Sequence, residues 1–165
     1  MSVELTEFVL SQLPLAPARV LEVGCGKGEL ARELDAHGYE VVAIDPEAPE
    51  GAIFRRTTIE AFAEPGPFDA VVASLSLHHV EDLGGVLDKL ARLLGGPLIL
   101  NEHAWERLDP MTPEWEEEHA GLYGYAQMRP ALDARFDQRF FEWRPYPVDG
   151  EEVPGLGFRY VGVPR

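Results

Sequence analysis

The chain has a single cysteine, few basic residues and no long apolar run. Cys25 alone cannot form an intramolecular disulfide framework or a multi-cysteine zinc site, which fits a reducing cytoplasmic interior. Fourteen Lys and Arg stand against 29 Asp and Glu, giving a formal charge of −15. That field repels phosphate backbones and anionic lipid, so neither nucleic acid nor a membrane surface is an expected partner. No apolar stretch reaches the roughly 18 residues that a spanning helix needs. The first residues, MSVELTEFVLSQLP, lack the basic region of a secretory signal. Repeats, low-complexity tracts and Ser/Gly linkers are missing too. One domain over 1–165 is therefore expected, and 45% hydrophobic residues suffice for a real core.

What is present is an alternation. Residues 2–12 read as a short amphipathic helix, with Leu5, Phe8 and Val9 on one side. Arg19–Val23 is a brief apolar strand running into a glycine cluster, Glu29–His37 has helical spacing closed by Gly38, and Glu40–Ile44 is a second strand. This is a parallel βαβ unit. Strands are then expected at Phe54–Thr58, Ala70–Ala73 and Pro97–Leu100, with an amphipathic helix over Leu83–Leu94. Pro113–His119 reads as a helix, and a further one is expected from Pro130 to Phe136. Arg139–Val148 and Gly157–Val163 close the chain as an antiparallel hairpin, Pro145 and Pro147 marking the first as an edge or irregular strand. Such a pattern predicts an α/β fold with a doubly wound, mostly parallel sheet, whose ligands bind beyond the carboxyl ends of the strands.

The sharpest local signal is Glu22-Val-Gly24-Cys-Gly26-Lys-Gly28 between a strand and a helix. Glycines there let the chain turn tightly and let a ligand lie against the backbone. The spacing is G-x-G-x-G, whereas a dinucleotide fingerprint needs G-x-G-x-x-G and a P-loop needs Gly-Lys-Ser/Thr. Both phosphate readings fail. Asp45, ending the second strand, is placed either to accept two ribose hydroxyls or to serve merely as a turn residue.

Two segments, VLEVGCGKGELARELDAHGYEVVAIDPE (20–47) and FDAVVASLSLHHVEDLGGVLDKLARLLGGPLILNE (68–102), together resemble the class I S-adenosylmethionine-dependent methyltransferases. The resemblance covers about residues 19–101. It implies a Rossmann-like seven-stranded sheet with an antiparallel C-terminal hairpin, S-adenosyl-L-methionine as cofactor, and methyl transfer to a small molecule by in-line displacement. It also implies site residues. Glu22, Gly24, Cys25, Gly26 and Gly28 would shape the methionine-side pocket, with Cys25 contributing backbone. Asp45 would hold the ribose, Pro46 would flank the adenine and Ile59 with Glu60 would clamp it. Ser74 and Leu75 would face the sulfonium. Thr58 stands where the family often has Asp, a departure that puts the family's adenine N6 contact in question.

Methyl transfer from a sulfonium needs alignment and exclusion of water more than catalytic groups. A base matters where a hydroxyl acceptor arrives protonated, and the candidates after strands four and five are His78, His79, Glu102 and His103, of which His79 and His103 are singled out. His79, Glu102, His103 and His119 lack a helical ligand spacing, so no metal is expected. The aromatic, acidic segment within 101–130 is expected to cover the acceptor, alone or with a second subunit as a homodimer. Its acids favour a neutral or cationic acceptor. Ser74-Leu-Ser-Leu77 replaces the Asn/Asp-Pro-Pro-Tyr motif of base amino-methylation. The alternative from another class is a cofactor-binding or regulatory module without turnover.

Overall fold

The structure, a computed structural model, describes residues 3–165. Its elements are α1 (Val3–Gln12), β1 (Arg19–Val23), α2 (Glu29–Ala36), β2 (Glu40–Asp45), β3 (Phe54–Arg56), β4 (Ala70–Ser74), a 3-10 turn (Leu77–His79), α3 (Leu83–Leu93), β5 (Leu98–His103), a second 3-10 turn (Trp105–Arg107), α4 (Pro113–His119), α5 (Tyr125–Asp133), β6 (Phe136–Val148) and β7 (Glu151–Pro164). The expected first helix thus begins at Val3, Ser2 lying outside the described residues.

Seven strands form one sheet in the order β3-β2-β1-β4-β5-β7-β6. The first five are parallel, and β7 and β6 add antiparallel at the edge. Alternate residues of each strand feed two cores. Leu21, Val42, Val71, Leu98 and Tyr160 face α3 and α5, while Val20, Val41, Val72, Ile99 and Val161 face α1 and α2. Both faces are covered, which is why the strands read as continuous apolar runs rather than alternating ones. No helix among the described residues is long and apolar enough to cross a membrane.

Three departures from the sequence expectation have local causes. β5 runs on to His103 because β7 pairs with it as far as His103 and Gly157, which carries Asn101, Glu102 and His103 into the sheet. The closing strands are longer than expected and join through two residues, Asp149 and Gly150, both with positive φ (50° and 80°). This is the Asp-Gly hairpin turn whose twist matches the flanking strands. Finally, α5 begins at Tyr125 rather than Pro130, which sits inside it. The Glu106 carboxylate accepts hydrogen bonds from the backbone N–H groups of Tyr125 (3.0 Å) and Ala126 (2.9 Å), a negative charge on the helix N-terminus that fixes its start.

Candidate active site

The glycine loop leaves β1 and folds back on β2. The N–H groups of Gly24 and Cys25 both donate to the carbonyl of Ile44, at 2.8 and 3.0 Å. Gly24 has φ +77°, and a Cβ there would lie 2.4 Å from the Cβ of Ser76, so only glycine fits. Gly28 starts α2 at φ +86°, and a Cβ on it would lie 2.4 Å from the Phe54 ring, whereas one on Gly26 would meet nothing within 4 Å. The first and third glycines thus close the turn, and the second leaves open space above the backbone. Asp45 ties the loop to β2. One of its carboxylate oxygens accepts from Gly26 N–H (3.1 Å) and the other from Glu47 N–H (2.8 Å). The turn role weighed for Asp45 is therefore real, and the same side chain also reaches the glycine loop.

Two cavities, about 600 and 400 Å³, lie at the carboxyl ends of the parallel strands. Each falls in the size range of small-molecule sites. The larger is lined by Glu22, Gly24, Cys25, Gly26, Ser74 and Leu75, together with Glu4, Asn101, Arg144, Tyr146 and Arg159. The smaller is lined by Gly24, Asp45, Pro46, Thr58, Ile59, Glu60, Leu75 and His79. Gly24 and Leu75 belong to both, so the two are halves of one cleft with its neck between β1 and β4. Leu75 itself adopts φ +53°, a left-handed conformation unusual for a branched side chain, and its N–H donates to the Asn101 carbonyl at 2.8 Å.

Most of the sequence-nominated residues converge on this cleft, but two do not. Gly28 lines neither half and acts through the turn. His103 also lines neither. It is buried in an aromatic cluster, its ring 4.4 Å from His78, 5.1 Å from His119 and 5.1 Å from Tyr146, and burial with His78 alongside lowers its pKa to about 4. An imidazole that is sealed from the cleft cannot serve there as a base. His79, by contrast, is exposed on the cleft wall, and burial of its ring and the neighbouring His78 lower its pKa, so it is neutral at pH 7.

Beneath the wall, Glu102 is 1% exposed and takes four hydrogen bonds. His78 Nδ1–H donates to Oε1 at 2.8 Å and His103 N–H at 3.2 Å, while Leu77 and His78 N–H donate to Oε2 at 3.0 and 3.3 Å. The donor atoms of His78, Glu102 and His103 all lie within 4.8 Å of one another. With both carboxylate oxygens committed to the 77–79 turn, this cluster is a brace that sets the position of His79. Lys89 does comparable work for the other wall. Its ammonium donates to the carbonyls of Ile59 (2.8 Å), Glu60 (3.0 Å) and Phe62 (2.5 Å).

The acidic end of β1 is electrostatically unusual. Glu22 is 3% exposed, its Oε1 has no hydrogen-bond partner, and burial together with Asp45 raises its pKa to about 7. The Cys25 thiol is pushed up to about 12 by burial and by Glu22 and Asp45, so it is not a nucleophile.

Comparison with known proteins agrees with this fold. The family model for a methyltransferase domain matches residues 2–146. The chain belongs to the class I S-adenosylmethionine-dependent methyltransferase family. A ubiquinone biosynthesis O-methyltransferase of Xylella fastidiosa is 37% identical over 112 residues, covering 58% of this chain and 46% of that protein. The chain spans about half the length of the curated relatives it matches. Among solved structures, an S-adenosylmethionine-dependent methyltransferase from Mesorhizobium loti superposes at TM-score 0.71 with 17% identity, covering 96% of this chain and 95% of the other. The N-methyltransferase NodS from Bradyrhizobium japonicum, solved with S-adenosyl-L-homocysteine, does so at 0.70 with 17% identity, over 98% and 86%. In this methyltransferase domain no residue of 105–130 lines either half of the cleft. The aromatics of that segment pack inward, Trp115 with Leu108 and Leu156, and the acids Glu114, Glu116, Glu117 and Glu118 face solvent on α4. Asn101 is the residue of 101–130 that lines the larger half, whose walls also include Glu4 and Leu5 of α1 and Arg144 and Arg159 of the β6–β7 hairpin. Sequence reading missed those residues because they come from the two ends of the chain.

Proposed function

We propose that this chain transfers a methyl group from S-adenosylmethionine to a small-molecule acceptor by in-line displacement. The observation that carries the reading is the buried Glu22 carboxylate, one oxygen unpartnered, in a cleft built on a glycine cradle. A buried acid with a free lone pair calls for a cation, and the methionine end of the cofactor brings an ammonium. In this arrangement Glu22 receives the ammonium and the open backbone at Gly26 takes the carbon chain. Asp45 accepts the ribose hydroxyls, Pro46 and Ile59 bracket the base, and Glu60 rims it. Ser74 and Leu75 sit at the neck, where the sulfonium would lie.

When bound, the cofactor supplies a methyl group already activated by its positive sulfur. The chain's task is then to align the acceptor and keep water out. Leu75 narrows the neck, so the acceptor enters from the larger cavity on the side of Asn101 and Tyr146. His79, held by the Glu102 brace on the smaller-cavity side of the neck, can take a proton only from a hydroxyl acceptor that reaches the neck beside Leu75, His103 being sealed away. The O-methyltransferase names of the relatives favour such an acceptor. The acids of 114–118 face away from the cleft, so they give no support to a cationic one. A cytoplasmic setting, where the cofactor is available and Cys25 stays reduced, belongs to the same reading.

Calorimetric titration with S-adenosylmethionine and S-adenosyl-L-homocysteine tests it. Both should bind, and Asp45→Ala should weaken them about tenfold or more through loss of charge-assisted hydrogen bonds. Absence of binding by the unaltered chain refutes the assignment. Binding without turnover over a panel of phenols, amines, thiols and carboxylates leaves a cofactor-binding module instead.

A further inference from the structure

We propose that the acceptor carries a carboxylate, received by Arg159 and Arg144 at the far end of the larger cavity, where Glu4 stands in for it. This rests on the methyl-transfer reading above and adds the chemistry of its substrate. The register of the sheet sets the arrangement. Arg159 on β7 pairs with Asn101 on β5, and Asn101 pairs with Ser74 on β4. Paired residues stand on the same face, and all three line the larger cavity, linked in part by a hydrogen bond from Asn101 Nδ2 to Ser74 Oγ at 3.1 Å. A wall therefore runs from the neck outward, ending in a guanidinium about two strand spacings away, ~10 Å.

Arg159 is 7% exposed, a degree of burial rarely tolerated by an unpaired cation. Its Nε is buried with no hydrogen-bond partner among the described residues. The guanidinium carbon lies 4.7 Å from the Phe8 ring centre, which holds its plane without satisfying its donors. Two acids face it: Glu4, whose Oε1 is 3.8 Å from Nη1, beyond hydrogen-bond reach, and Glu142, its register partner on β6, which makes no hydrogen bond to it among the described residues. The same Glu4 oxygen contacts Arg144, which also has Glu142 at 3.7 Å. Glu4 is 60% exposed at the start of α1 and serves two cations with one oxygen. A planar fork of donors next to a second cation, with one exposed acid that pairs closely with Arg144 and only distantly with Arg159, fits a bidentate carboxylate.

The cofactor's own carboxylate is the rival occupant. It is bonded to the same carbon as the ammonium, and β1, which carries Glu22, stands three strand spacings (about 14 Å) from β7. That backbone separation favours the acceptor at the guanidinium end, and the cofactor's carboxylate is the competing outcome of the test.

The test uses the full chain saturated with S-adenosyl-L-homocysteine and two matched probe pairs, 4-hydroxybenzoate against phenol and 3-hydroxybutyrate against 2-butanol, titrated by ligand-observed NMR. The carboxylate member of at least one pair should bind tenfold or more tightly than its neutral partner. Glu4→Gln, which removes the competing acid at an exposed site, should increase that preference. Arg159→Gln and, as a milder change, Arg144→Gln should reduce it to within about twofold while S-adenosyl-L-homocysteine affinity stays within twofold of the unaltered chain. No preference in either pair overturns the proposal and leaves the methyl-transfer reading intact. Loss of S-adenosyl-L-homocysteine affinity in the arginine variants overturns it in favour of the cofactor's carboxylate. Failure of the unaltered chain to bind S-adenosyl-L-homocysteine overturns the underlying reading.

Discussion

Replacing Glu22 by Gln should stabilise the cofactor-free protein and damage cofactor binding, both in a pH-dependent way. In the fold this carboxyl titrates near 7, against an ordinary 4.5, because burial and Asp45 disfavour its charge. A folded-state pKa above the unfolded one means that the native chain holds a proton the unfolded chain has lost. Stability is therefore full below about pH 4.5 and falls as pH rises towards 7, by about 1.4 kcal/mol per pH unit and about 3 kcal/mol in all. Glu22→Gln is neutral throughout. It should match the unaltered chain near pH 4.5 and exceed it by about 3 kcal/mol at pH 8, which is read by urea denaturation across that range. Binding runs the other way. An ammonium selects the ionised acid, so affinity for S-adenosylmethionine should fall about tenfold per pH unit below 7. Calorimetry in two buffers of different ionisation enthalpy should find close to one proton released at pH 6. Glu22→Gln should lose this slope and bind more weakly at pH 8. A stability difference that does not vary with pH, or cofactor binding without proton release, would refute the argument.

The glycine loop offers a paired comparison. Gly24→Ala drives a Cβ to within 2.4 Å of Ser76 and should lower stability by several kcal/mol. Gly26→Ala meets nothing within 4 Å and should cost only about 1–2 kcal/mol of backbone strain while weakening cofactor binding, measured by thermal unfolding and calorimetry side by side. Glu102→Ala removes the acceptor of four buried hydrogen bonds and should cost about 3–5 kcal/mol in denaturant unfolding. His79→Gln should lower kcat about 100-fold or more for a hydroxyl acceptor, with S-adenosyl-L-homocysteine affinity held, and should abolish the acidic limb of the rate profile. An unchanged kcat removes His79 from the reaction.

The two halves of the cleft differ in how far the sequence discloses them, and the difference is one of contact range. The half proposed for the cofactor is made where a strand ends and a helix begins. Glu22, Gly24 and Gly26 are neighbours along the chain, and Asp45 joins them because β1 and β2 are adjacent parallel strands of one βαβ unit. Local pattern and the handedness of that unit are enough. The half proposed for the acceptor depends on register. Arg159 reaches the cavity only because β7 pairs antiparallel with β5, placing it opposite Asn101; a slip of one residue would turn Tyr160 to the cleft and Arg159 into the α3 face. The run Gly-Phe-Arg-Tyr-Val-Gly-Val carries the alternation but not its direction. Glu106 and Lys89 hide for the same reason, since each looks like a solvated charge until the carbonyls or N–H groups that it serves are folded beside it. Local signals thus disclose one half of the cleft, and long-range pairing builds the other. On the reading proposed above, side chains of the last strands and of the first turn of α1 receive the acceptor, so exchanging Arg144 and Arg159 for neutral residues should change the acceptor without changing the cofactor.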